Sequence, residues 1–120
     1  QVMPRLTRSE IAAIYRAASL VLITSDAEGF GLPMVEALSC GARVLATDLP
    51  VLREVGGDFA TYTPPGDLHA MISNASQMLN QNSSDTNQES LRTFLSKYNW
   101  SYYVTELSAL IARKPMANTN

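Results

Sequence analysis

Two hydrophobic periods alternate along the chain, and their alternation sets its organisation. Thr7-Arg-Ser-Glu10 has the form of a capping box, and Ile11, Ile14, Tyr15 and Ala18 then fall on one helical face. Leu20-Val-Leu-Ile-Thr24 is a short continuous apolar run, the pattern of a buried parallel strand. A glycine-spaced stretch leads to Leu32-Pro33, where a second helix opens; proline suits a helix start because its missing N–H costs nothing there. Gly41 follows Cys40 at the expected end of that helix, and Arg43-Val-Leu-Ala-Thr47 is a second apolar run. Asp48-Leu-Pro50 introduces a short helix that stops at Gly56-Gly57, and a third strand is expected over residues 59–63, closed by Pro64-Pro65-Gly66. Asp67 caps a helix with Leu68, Met71, Ile72, Ala75, Met78 and Leu79 at helical spacing. The polar tract 80–88 reads as an exposed connection, and Leu91, Phe94, Leu95 and Tyr98 mark another amphipathic helix. A last helix is expected over 100–113 and a frayed tail over 114–120, while residues 1–6 read as a severed strand or loop. Helices alternating with short apolar strands imply an α/β fold: a short parallel sheet of about three strands with helices on its faces.

The chemistry concentrates where the first strand passes into the second helix. The opening N–H groups of a helix have no partner within it, and the helix dipole adds partial positive charge, so a helix start is a natural anion site. Gly29 and Gly31 let backbone approach a ligand closely. Glu28 sits on the loop after the strand, where open α/β sheets place their ligands, and Glu36 lies about one turn into the helix. Two acceptors bracketing an anion site suit a molecule with hydroxyls on both sides of a phosphate, and a nucleotide sugar has that shape.

The segment Glu28-Gly-Phe-Gly-Leu-Pro-Met-Val-Glu36 resembles the E-x7-E motif of retaining glycosyltransferases with the two-domain GT-B fold, the family 4 group in particular. The resemblance continues through Ala37-Leu-Ser-Cys-Gly-Ala-Arg-Val-Leu-Ala-Thr-Asp48, Leu52-Arg-Glu-Val-Gly-Gly-Asp58 and Pro65-Gly-Asp67. It implies that residues 1–113 are the C-terminal part of a nucleotide-sugar-binding, Rossmann-like three-layer αβα domain, half of a GT-B C-terminal domain. It also implies transfer of a sugar from a nucleotide-diphosphate donor to an acceptor hydroxyl with retention of anomeric configuration, as in polysaccharide biosynthesis. Carried over position by position, Glu28 is the catalytic carboxylate near the donor sugar's anomeric centre. Gly29, Phe30, Gly31 and Leu32 bind the donor through backbone N–H groups, the Phe30 ring serving in packing, and Glu36 holds the ribose hydroxyls. No cofactor and no obligatory metal are implied. The family's Arg and Lys that neutralise the diphosphate lie upstream of the motif. None of Arg5, Arg8, Arg16, Arg43 or Arg53 matches them, so the chain is read as a donor half-site whose isolated form is inactive. The acceptor, a sugar, polysaccharide or glycolipid, would be bound by an N-terminal domain outside this sequence. An open apolar sheet edge would favour homodimerisation or domain swapping.

Bulk properties exclude more than they add. One cysteine, Cys40, rules out an internal disulfide, and one histidine, His69, rules out an imidazole cluster. A net charge of −2 gives no reason to expect a nucleic-acid partner. No apolar run reaches the length of a membrane span; the expected location is cytoplasmic, with peripheral membrane attachment open for the full-length enzyme. Glu54 has structural and functional readings of equal weight, His69 reads as exposed, Cys40 as a small buried residue, Met71 and Met78 as a core stripe, and Trp100 with the nearby tyrosines as core anchors. Three other classes share features with this chain. A non-catalytic nucleotide-sugar-binding or assembly subunit would carry the same motif. A dinucleotide-dependent oxidoreductase would need a third glycine that Gly29-Phe-Gly31 lacks, and a glycosidase using Glu28 and Glu36 would have no use for an anion-binding helix start.

Overall fold

The computed structural model describes residues 5–82 and 87–99. In chain order these form α1 (Arg8–Ala17), β1 (Val21–Ile23), α2 (Leu32–Ser39), β2 (Val44–Thr47), α3 (Pro50–Gly56), β3 (Thr61–Thr63), α4 (Leu68–Asn80) and α5 (Gln88–Leu95). Single 3₁₀ turns, Gly57–Phe59 and Ser96–Tyr98, follow α3 and α5. The expected helix over 100–113 and the tail lie outside the described residues.

The three strands form one parallel sheet in the order β1-β2-β3, with Ile23 beside Ala46, Ala46 beside Tyr62, and Thr47 beside Thr63. This is the expected α/β architecture. Parallel partners share a sheet face, so the pairing sorts the side chains into two sets. Val21, Ile23, Val44 and Ala46 point to the side of α2 and α3, where Met34, Ala37, Leu38, Leu52 and Val55 close the main core. Leu22, Leu45, Thr47 and Thr63 point to the other side, and the Thr63 hydroxyl lies 3.9 Å from Met71 Sδ on α4.

The helix ends follow local chemistry. At α1 the capping box is complete: the Thr7 side chain accepts from the Glu10 N–H, and Glu10 Oε2 accepts from the Thr7 N–H at 2.7 Å. These hydrogen bonds hold the Glu10 carboxyl below its ordinary pKa. Asp67 Oδ1 accepts from the Ala70 N–H at the start of α4, and Arg43 donates to the Met78 and Gln81 carbonyls at its end. A guanidinium there meets the negative end of the helix dipole.

Three expectations need correction. Strand β1 is three residues long, not five, because only Val21–Ile23 pair with β2. Phe59 does not open the third strand. It sits in the 3₁₀ turn, and its ring packs 5.2 Å from that of Phe94. The apolar stripe of α4 is not core: Met71, Ala75 and Met78 are half-buried, and Leu68, Ile72 and Leu79 are exposed.

Candidate functional site

The loop between β1 and α2 leaves the sheet at the carboxyl end of an edge strand. It closes on Gly31, whose φ of +77° is open to glycine at little cost. A Cβ there would lie 2.8 Å from Val55 Cγ2 and 3.1 Å from Leu52 Cδ2, so the loop's last residue is seated against α3. Gly31 is also the N-cap of α2, with proline in the first turn and no side-chain cap. Met34 and Val35 both donate to the Gly31 carbonyl. Among the described residues, the N–H groups of Gly31 and Leu32 have no protein acceptor. A helix start left with donors of this kind offers hydrogen bonds and partial positive charge to an anion.

Both glutamates of the motif are held by hydroxyl groups. Ser25 Oγ donates to Glu28 Oε1 at 2.5 Å across the loop, and Glu28 is half-buried. Glu36, exposed on α2, accepts through Oε2 from the Tyr15 hydroxyl of α1 at 3.3 Å. Burial raises the Tyr15 pKa above its ordinary value, and the Glu36 charge and hydrogen bond add to the shift. The phenol therefore remains a neutral donor well above pH 7.

A cavity of about 790 Å³ opens between α1, α2 and the loop, within the size range of small-molecule sites. Ile11, Tyr15, Phe30, Leu32 and Glu36 line it, with Arg8 also on its wall. Of the residues singled out from the sequence, Phe30, Leu32 and Glu36 therefore meet at one cavity, while Glu28, Gly29 and Gly31 stand outside its lining. The Phe30 ring meets the Tyr98 ring edge-on at 6.0 Å, which is a packing contact. Tyr98 in turn donates to the Glu54 carbonyl at 3.2 Å, linking the turn after α5 to α3 and the loop. Glu54 contributes this backbone oxygen, and its side chain is exposed. His69 is exposed and Cys40 half-buried. Among the described residues no group of three or more His, Cys, Asp or Glu side chains is placed to hold a metal ion, and no helix is long and apolar enough to cross a membrane.

Sequence reasoning gives no functional role to Tyr15 or Ser25, and it sets Arg8 aside as a diphosphate ligand. Tyr15 was assigned to a helical apolar face, and the signal available was a phenol in an otherwise aliphatic stripe.

Comparison with known proteins gives this loop and helix a context. The stretch of 74 residues most similar to O-antigen chain mannosyltransferase B of Escherichia coli is 36% identical, covering 62% of this chain and 19% of that protein. O-antigen chain mannosyltransferase RfbU of Salmonella typhimurium is 36% identical over 59 residues, 49% of this chain and 17% of that protein. D-inositol 3-phosphate glycosyltransferase of Mycobacteroides abscessus is 46% identical over 44 residues, 37% of this chain and 10% of that protein. The chain thus spans about a fifth or less of the length of these relatives. The family model for glycosyl transferases group 1 matches residues 1–93, which include every element from α1 to α4, and the chain belongs to that family.

Proposed function

We propose that this chain supplies the donor half-site of a retaining, GT-B-type glycosyltransferase that moves a hexosyl group from a nucleotide-diphosphate sugar to an acceptor hydroxyl. The observation that carries the reading is the start of α2: two N–H donors without an acceptor among the described residues, at the carboxyl side of a parallel sheet, with a carboxylate before and a carboxylate after. The diphosphate would lie against the Gly31 and Leu32 N–H groups. Charge gathers on the departing diphosphate as the glycosidic bond breaks, and a fixed dipole aimed at it needs no reorganisation at that moment. Glu28 would face the donor sugar and stabilise the positive charge developing at its anomeric carbon. Glu36 would accept from the ribose hydroxyls, with the base entering the cavity beside Ile11 and Leu32. Mannose is the first donor sugar to test, since two of the relatives are named mannosyltransferases. The acceptor, the cations that complete diphosphate neutralisation and any second copy of the chain belong to the whole enzyme.

Titration calorimetry of the intact protein with UDP, GDP and ADP tests the reading. One nucleotide should bind, and Glu36→Ala should weaken it about tenfold or more, the scale of a lost hydrogen bond to a charged group. Binding of none of the three by a folded protein, or equal binding by the variant, overturns it.

A further inference from the structure

Glu36 is exposed on α2, and an exposed glutamate samples many rotamers. Ordering such a side chain on ligand binding opposes affinity. The structure supplies a brace from a different element. Tyr15 lies on α1, 21 positions earlier in the chain, and its hydroxyl reaches Glu36 Oε2 at 3.3 Å. The two helices pack side by side, and both residues line the same cavity.

We propose that Tyr15 is the positioning residue of Glu36: its hydroxyl holds the carboxylate in one orientation at the cavity wall, ready to accept from a vicinal diol. This inference rests on the reading of Glu36 as the ribose contact and extends it to a second helix.

The geometry distinguishes this brace from a packing role. A residue needed only to fill the α1–α2 contact would serve equally well as phenylalanine, whereas the hydroxyl is spent on a single long-range acceptor. A carboxylate oxygen accepts in two directions, so Oε2 can receive a ligand hydroxyl while still held by Tyr15. Oε1 has no protein donor among the described residues, and the pair of oxygens can meet two adjacent hydroxyls. The 3.3 Å separation is long for an O–H···O contact, as is common in site geometries that tighten when substrate arrives. Besides Glu36, Cys40 acts on the phenol and Arg8 stands on the same cavity wall, but the hydroxyl's acceptor is Glu36 Oε2. The comparable contact at the first glutamate, Ser25 to Glu28, spans three residues of one loop. The Tyr15 contact instead makes the orientation of Glu36 depend on how α1 is docked.

The test uses the intact protein and the variants Tyr15→Phe, Glu36→Gln and both together, checked for folding by circular dichroism. The probes are UDP, GDP and ADP and their 2′,3′-dideoxy counterparts. Tyr15→Phe should weaken the ribonucleotide that binds by about three- to tenfold and leave the dideoxy form unchanged. It should have no further effect once Glu36 is glutamine. Ring-carbon NMR should also show the Tyr15 pKa falling in Glu36→Gln, because the charge that helps raise it is gone. If Glu36→Gln erases the preference for ribose while Tyr15→Phe changes nothing, or weakens both nucleotide forms alike, the inference is overturned and the ribose reading stands. If Glu36→Gln leaves the preference intact, the ribose reading fails and the inference falls with it. A Tyr15 titration unchanged by Glu36→Gln removes the contact itself.

Discussion

Helices α2 and α4 lie on opposite faces of one three-stranded sheet, α2 over β1 and β2 and α4 over β2 and β3, yet they are buried to very different degrees. In α2, Met34 and Ala37 have no exposed surface and Leu38 has 2%. In the longer α4 no residue is buried, and Ile72 keeps 57% of its surface in solvent. α2 is apolar at most of its positions whereas α4 carries an amphipathic stripe, yet pattern alone does not account for the difference. It comes from what surrounds them. α2 is enclosed by the sheet, α1, α3 and α5, whereas α4 rests across β2 and β3 with one flank uncovered. Leu22 of β1, on the same side of the sheet, is also exposed. The motif-bearing part of the molecule is thus the well-packed part: the helix that carries the motif is held by the sheet, α1, α3 and α5.

The largest effect that would break this contrast is at Met34. Met34→Ala on the 120-residue chain should cost about 2–5 kcal/mol in urea unfolding, because it removes a fully enclosed side chain from beneath the motif helix. A loss under about 1 kcal/mol would mean that this face is no tighter than the other. Ile72→Ala should cost under about 0.5 kcal/mol in the same assay, since most of that side chain is already in water. A large loss there would show that the α4 flank is covered in solution and would dissolve the comparison. The smallest effect concerns the start of α3, on the same face as α2. Arg53 grips Asp48 through two contacts, Nε–Oδ1 at 2.5 Å and Nη2–Oδ2 at 2.8 Å. The Arg53 hydrogen bond lowers the Asp48 pKa, so the folded state binds its proton less readily than the unfolded one. The stability from this pair is therefore present above the unfolded value, about 4, and is lost as pH falls through the lower folded value. Both groups face solvent, so Asp48→Asn should flatten the acid limb of the stability curve only slightly.

What the sequence made legible was whatever depends on neighbours in the chain. The order of elements, the caps at Thr7 and Asp67, and the glycine that ends the motif loop all follow from local rules. The parallel sheet followed from the alternation of those elements. The strand limits were misread because Leu20 and Thr24 continue the apolar run but find no place in the β1–β2 ladder. Phe59 has the composition of a strand residue, yet the ring of Phe94, thirty-five positions later, draws it into an aromatic contact. The stripe on α4 has core spacing, and spacing carries no information on whether a neighbour exists to cover it. At the site, Glu28, Glu36 and the glycines were visible as a motif. Tyr15 was not, because its meaning lies in a contact across two helices.

The seating of Gly31 against Val55 and Leu52 has a consequence for engineering. The loop is keyed to the ridge of α3, and its shape is not a property of residues 25–31 alone. A chimera that exchanged the loop and α2 between family members, leaving the host's own α3 in place, would set a foreign ridge against the glycine. The smallest portable cassette therefore runs from Ser25 through Gly56, with β2 carried along inside it.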